Sequence, residues 1–239
     1  KIIMKSIKNW DNKTWLSSKN YINSFNKFLI KNTKLDSNSK ILDIGCGRGK
    51  ILGDLFSKLK LKSNPIGLDI ENHKDKDKRI LFKKIDGVKF LSKTKNNYDL
   101  ILIKQTIHLL KISQILKLIK LCKKHLSQNG NIFILTLDYN YNEIPTFELM
   151  NNKLQNSLKR DKKILTMLQN DNKDSKMKRF IYTVKISKQK YLKMVLDRYI
   201  STLLNFKIFE IKKGVSEIKS NYKDIIKFKD KLLCLILTQ

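Results

Sequence analysis

The chain has 239 residues, 41% of them hydrophobic, with 51 Lys and Arg against 21 Asp and Glu, a formal net charge of +30. That length and apolar content suit one good core and exclude a disordered chain. No apolar run approaches the roughly 20 residues that a membrane helix needs. Three scattered cysteines, Cys46, Cys122 and Cys234, give neither a zinc pattern nor a paired disulfide framework, so reduced thiols and no metal site are expected. The first five residues lack the apolar core and cleavage site of a signal peptide, and the missing initiator Met suggests a trimmed start; the cytoplasm is the expected location. A charge this large attracts polyanions. Yet lysine greatly outnumbers arginine, accompanies Asn and Ile throughout, and forms no dense stripe. Composition is therefore the preferred account of the charge, which still favours anionic substrates.

From about Thr14 to Ile30, Tyr21, Ile22, Phe25, Phe28 and Leu29 fall at helical spacing and predict an amphipathic helix, with Trp10 and Trp15 around its start. Residues 40–50, KILDIGCGRGK, read as a buried strand, a tight turn and the start of a helix. Glycines there allow a ligand against the backbone, and the helix behind offers free N–H groups. A P-loop fails because Ile44 stands where its first glycine belongs and Ile51 follows Lys50. A dinucleotide fingerprint fails because the third glycine, Gly49, comes one residue early.

What remains is an acid, Asp43, two residues before a G-x-G-x-G turn. The stretch LDIGCGRGK resembles motif I of the class I S-adenosylmethionine-dependent methyltransferases. The resemblance implies that Gly45, Cys46, Gly47 and Gly49 pack against the methionine part of the cofactor while Asp43 helps to hold its amino group. It implies a Rossmann-like α/β fold, with a seven-stranded, mostly parallel sheet whose last strand is antiparallel. It also implies an N-terminal helical segment over the substrate, which makes Trp10, Trp15 and Tyr21 candidate lid residues. Core packing is the simpler account of the same aromatics.

Further along, Ile51, Leu52, Leu55, Phe56 and Leu59 mark the first crossover helix. Residues 65–70, PIGLDI, read as a second strand ending in Asp69, a carboxylate that suits a ribose. In the resembled family this position binds the adenosine ribose, and Ile70 stands beside the adenine. A third strand over 80–82 leads to Asp86 and Gly87, where the family often contacts the adenine amino group; a helix N-cap is the competing account of Asp86. Residues 98–103 form a continuous apolar strand, covered on both faces, and Lys104 and Gln105 lie at its ligand-binding end. The stretch from Gln105 to Leu109 is similar to one found in small-molecule methyltransferases of the broad group that includes trans-aconitate methyltransferase, although Leu109 replaces a frequent Trp. His108 is the candidate base or substrate-orienting donor. The amino-methylating and cytosine-methylating nucleic-acid enzymes of this fold carry proline motifs here that the chain lacks; its only prolines are Pro65 and Pro145.

A helix over 113–126, stopped by Asn129-Gly130, should precede a buried strand over 131–138. Beyond it the family commonly inserts a helical cap, which makes Tyr139 and Tyr141 pocket liners. Arg198 is a candidate carboxylate clamp, with a structural ion pair as its competing role. A helix from Ile208 to about Tyr222 and an apolar strand over 232–237 close the chain.

One domain is expected: an N-terminal lid (1–39), a cofactor-binding core (40–138), a helical cap (139–200) and a C-terminal helix and strand (201–239). The expected reaction is methyl transfer from S-adenosyl-L-methionine to a small, anionic metabolite, yielding S-adenosyl-L-homocysteine. The alternatives are RNA methylation, suggested by the charge, and a non-catalytic S-adenosylmethionine-binding module. The sequence is silent on oligomeric state.

Overall fold

The structure is a computed structural model that describes residues 14–238. Trp10, a candidate lid residue, lies outside them. Seven strands form one sheet: β1 (Ile41–Ile44), β2 (Ile66–Asp69), β3 (Leu81–Lys84), β4 (Tyr98–Lys104), β5 (Leu126–Leu137), β6 (Lys176–Ser187) and β7 (Ile225–Leu237). Their spatial order is β3-β2-β1-β4-β5-β7-β6. The pairings among β1 to β5 are parallel, and β7 runs antiparallel to both its neighbours. This is the Rossmann-like methyltransferase arrangement that the glycine turn implied.

The helices are α1 (Lys19–Lys31), α2 (Lys50–Leu59), α3 (Gly87–Leu91), α4 (Ile112–Lys124), α5 (Glu148–Asn170), α6 (Lys188–Leu196) and α7 (Ile208–Asn221). They cover both faces of the sheet, and the strand sequences show why. Successive side chains of a strand point to opposite faces, and β4 is apolar at every central position. Leu100 and Leu102 join the core under α1, α2, α6 and α7, whereas Ile101 and Ile103 join the one under α3 and α4. Each fully buried Leu or Ile contributes about 1.5–3 kcal/mol of transfer free energy. A one-residue slip of β4 would swap the two sets between cores, so its register is strongly specified. Helix α5 bridges the two layers. Met150 near its start packs in the first core and Ile164, Leu165 and Leu168 near its end in the second.

Two sequence expectations need correction. The region 139–200 is not a continuous helical cap, because β6 runs through it as an edge strand paired along its whole length with β7. Phe180, Val184 and Ile186 face inward and Ile181, Thr183 and Lys185 outward, an alternation that belongs to a strand. Nor does Gly130 stop a helix: α4 ends at Lys124 and β5 starts at Leu126. A side chain at Gly130 would bring its Cβ within 2.7 Å of the Tyr98 carbonyl oxygen, so the glycine serves the close approach of β5 to β4. No helix among the described residues is long and apolar enough to cross a membrane. They include no group of side chains that could hold a metal ion, and all three cysteines are free.

Candidate active site

In open α/β sheets, ligands bind beyond the carboxyl ends of the strands, where the strand order reverses. Here that point lies between β1 and β4, and a cavity of about 780 Å³ opens there. The chain leaves β1 through Gly45, whose φ of +80° is a conformation that L side chains rarely adopt. A Cβ at Gly45 would lie 2.2 Å from Thr106 Oγ1, at the end of β4. The Gly45 and Cys46 N–H groups both donate to the Leu68 carbonyl, at 2.8 and 2.9 Å, and tie the turn to β2.

Carboxylates hold the rest of the turn. Asp69 Oδ2 accepts from the Gly47 N–H and Oδ1 from the Glu71 N–H, each at 2.9 Å, with His73 Nε2 3.5 Å from Oδ1. Burial pushes the Asp69 carboxyl up, but donors from His73, Glu71 and Gly47 outweigh it and hold it below the usual value. Asp43 behaves differently. Burial drives its carboxyl up to about 7, with Asp69 adding to the rise and Lys104 opposing it. Its Oδ1 is buried without a hydrogen-bond partner. Asp86 caps α3, accepting from the Lys89 N–H at 3.0 Å, as its competing reading had it.

Of the residues expected to hold cofactor, Gly45, Asp69, Ile70, Asp86, Gly87, Lys104 and Gln105 line the cavity. Ile70 is 61% exposed and lines the cavity as an apolar side chain next to Asp69. Cys46, Gly47 and Gly49 do not border the cavity, and the two glycines, also at positive φ, shape the turn from behind. Asp43 is likewise set behind the wall. Together, the orphaned Asp43 oxygen, the Cβ-free bend, the carboxylates at the ends of β2 and β3 and the apolar Ile70 fit an adenosyl amino acid.

The cavity continues past Lys104 into a second half, walled by Trp15, Ile144, Leu158, Asp161, Tyr199 and Asp230 among others. Three segments without regular strand structure close it. His108 lies on a 3₁₀ turn, Ile107–Leu109, and its Nε2 is 3.2 Å from Ser201 Oγ on a second such turn, Ser201–Leu203. Trp15, on a third at Trp15–Ser17, donates its indole N–H to Asp230 Oδ2 at 2.8 Å. Burial first, and the nearby Arg160 guanidinium second, push the His108 imidazole down to about 4. The ring is therefore neutral at physiological pH. It can orient a donor, but so low a pKa makes it a weak base for a hydroxyl.

Four expected substrate-binding residues lie elsewhere. Tyr21 is fully buried, edge-on to Phe180 and Tyr182, and belongs to the core. Tyr139 is only partly buried against the second core, with the Lys162 ammonium over its ring. Tyr141 is 63% exposed: the Asp138 carboxylate takes the Asn140 and Tyr141 N–H groups, and this bend carries the ring outward between Arg179 and Lys231. Arg198 donates to the Leu203 and Leu204 carbonyls, at 2.6 and 3.1 Å, and is a brace rather than a clamp.

Sequence reasoning missed Asp161, Asp230, Tyr199 and Ser201. A signal exists for the two acids. Asp230 follows Ile226 and Phe228 on the inward phase of β7, and Asp161 continues the stripe of Leu154 and Leu158 on α5. An acid in phase with an apolar face is a buried acid. The cations on the cavity wall are Lys104 at the end of β4, Lys89 on α3 and Lys117 on α4.

A methyltransferase domain family model matches residues 19–178. No curated protein matches the sequence. Among solved structures, a putative methyltransferase from an antibiotic biosynthesis pathway of Anabaena variabilis shares 14% identity over 90% of this chain and 96% of its own, with a TM-score of 0.62. A methyltransferase from Thiobacillus denitrificans in complex with S-adenosyl-L-homocysteine shares 13% identity over 93% of this chain and 92% of its own, with a TM-score of 0.54. The plantazolicin methyltransferase BpumL, bound to a monoazolic desmethylPZN analog and S-adenosyl-L-homocysteine, shares 18% identity over 97% of this chain and 88% of its own, at 0.51. At such identities the structural likeness speaks for the fold, and the family match speaks for the chemistry. The chain belongs to the methyltransferase domain family, as a class I methyltransferase with S-adenosylmethionine as its cofactor.

Proposed function

We propose that the protein methylates a small molecule enclosed in the second half of the cavity, beyond Lys104. The observation that carries this reading is the continuity of one cavity from Gly45 and Asp69 to Trp15, Tyr199 and Asp230. An acceptor held there lies against the cofactor in a space of about 780 Å³, which suits a metabolite better than a nucleic-acid strand. The cavity wall carries three Lys and no Arg, and strand-binding grooves track phosphate with rows of cations, which favours the same choice.

In this reading Asp69 meets the ribose with its remaining lone pairs, Ile70 lies against the adenine, and Asp86 accepts from the adenine amino group. Asp43, behind the wall, supplies a negative charge that favours the cofactor's cationic amino group. When bound, S-adenosylmethionine supplies an electrophilic methyl group on a positively charged sulfur. The chain's own task is to position the acceptor, a contribution that can reach several kcal/mol. His108, kept neutral and paired with Ser201, orients the acceptor. The lid is the stretch at Trp15 and Leu16, and α5 supplies the opposite wall.

The test has two stages. Calorimetry with S-adenosyl-L-homocysteine should give one site per chain. Incubation with methyl-labelled S-adenosylmethionine and a metabolite panel should then put label into a low-mass product. Folded protein giving no heat with S-adenosyl-L-homocysteine would sink the cofactor assignment, and label transferred only to RNA would sink the small-molecule one.

A further inference from the structure

We propose that the acceptor is an apolar molecule bearing a cationic nitrogen, received between Asp161 and Asp230 and against the rings of Trp15 and Tyr199. This rests on the small-molecule reading above and names the class of substrate. Both carboxylates line the cavity, and they are 4% and 1% exposed. Each has one buried oxygen without a hydrogen-bond partner. Such groups are costly to bury in the free protein, and a ligand that supplies a charged donor removes that cost.

The cations nearest these acids are already engaged. Asp161 Oδ1 is 3.9 Å from Arg160 Nη1, but the guanidinium is committed to the carbonyls of His108 and Leu110. Burial pushes the Asp161 carboxyl up to about 6 in spite of Arg160, which marks that pairing as weak. Around Asp230, Trp15 occupies only Oδ2. Lys104 lies near enough to be felt, yet its ammonium sits over the rings of Tyr21 and Phe25, 5.4 Å from each centroid. The Tyr21 hydroxyl stands close enough to Asp230 to donate towards it and hold its carboxyl down, against the larger effect of burial, although no bond of full hydrogen-bond geometry reaches Oδ1.

The aromatic walls point the same way. Trp15 and Tyr199 meet edge to face, with centroids 5.4 Å apart, and both line the chamber. Aromatic faces beside a carboxylate are the recurring chemistry of ammonium recognition. Leu16, Ile144, Leu154, Leu158 and Leu204 add apolar wall beside the polar His108, Ser157, Ser201 and Thr202, and suit a hydrocarbon body. An anionic acceptor would bring a further negative charge to two buried acids that each keep one oxygen without a hydrogen bond.

The test uses protein saturated with S-adenosyl-L-homocysteine and calorimetry with matched skeletons: 3-phenylpropylamine, 3-phenylpropanol and 3-phenylpropanoate, and the three corresponding indole compounds. The amine of at least one set should bind tenfold or more tightly than its acid, with the alcohol between them. Asp161→Asn and Asp230→Asn should each shrink that ratio at least fivefold while leaving S-adenosyl-L-homocysteine binding unchanged. If no amine outbinds its matched acid, or if the ratio survives both substitutions, the inference is overturned. The comparison among wild-type ligands stands even if Asp230→Asn, by releasing Trp15, fails to fold. Failure to bind S-adenosyl-L-homocysteine at all would instead strike the underlying methyltransferase site.

Discussion

The two halves of the cavity are made from different material. Around Gly45 the wall consists of residues that end parallel strands or directly follow them: Ile44 and Gly45, Leu68 to Glu71, and Lys104 to Thr106. Across from it, Trp15, Ile144, Asp161, Tyr199 and Asp230 come from five separate segments that only tertiary packing gathers. The first wall presents main chain and short acids whose positions follow from strand order. The second presents side chains aimed inward from a helix, 3₁₀ turns and a late strand. A cofactor common to a whole family suits the first construction, and an acceptor peculiar to one member suits the second.

Substitutions can break or sharpen that contrast. Gly45→Val should have the largest effect, because it joins an unfavourable φ to a clash with Thr106; a loss of at least about a hundredfold in S-adenosyl-L-homocysteine affinity is expected by calorimetry. Near-normal binding would mean that the backbone of the turn is not what the cofactor meets.

Asp43 gives a signed pH effect. Its folded carboxyl titrates at about 7 against an ordinary 3.8, and a cationic amino group selects the ionised form. Affinity should therefore be level above pH 7 and fall towards about tenfold per pH unit below it, and Asp43→Asn should flatten the profile. Stability without ligand runs the other way. A raised acid pKa means that the folded state holds the proton more tightly. The stabilising contribution is thus complete below pH 3.8 and is lost as pH rises through 7. Asp43→Asn should accordingly raise the melting temperature at pH 8, and a lowered one would show that the orphaned oxygen has a partner after all.

His108→Ala should lower turnover about tenfold, the worth of one orienting hydrogen bond, while S-adenosyl-L-homocysteine affinity stays within about twofold. Equal losses in both would place His108 in the cofactor half. Tyr141→Ala should do least. An exposed ring away from the chamber predicts less than about a twofold change in turnover, and a larger loss would extend the acceptor site to the protein surface.

The same contrast explains what could be read in the sequence. The strands that end at Ile44, Asp69 and Lys104 were legible because acid and glycine punctuation follows apolar runs there, and topology then brings their ends together. The second half was not legible, since no local pattern says that Tyr199 will face Trp15. Aromatic identity alone misled at Tyr21, Tyr139 and Tyr141, whose direction is set by core packing or by the Asp138 bend. Strand β6 was hidden for another reason. Phe180, Tyr182, Val184 and Ile186 alternate cleanly, but the expectation of a helical cap ran across them. The most useful missed signal was phase, since Asp161 and Asp230 both interrupt apolar stripes at positions that must point inward.

The hydrogen bond from Trp15 to Asp230 spans 215 positions of the chain. Chains are made from the amino end, and segments begin to fold as they emerge. A growing chain acquires every part of its glycine-turn pocket long before the strand that carries Asp230 leaves the ribosome. Until that strand inserts between β5 and β6, Trp15 lacks this hydrogen bond and the cavity lacks the wall that carries Asp230. The side of the cavity that Asp230 lines is thus completed only after the glycine turn, when β7 takes its place between β5 and β6.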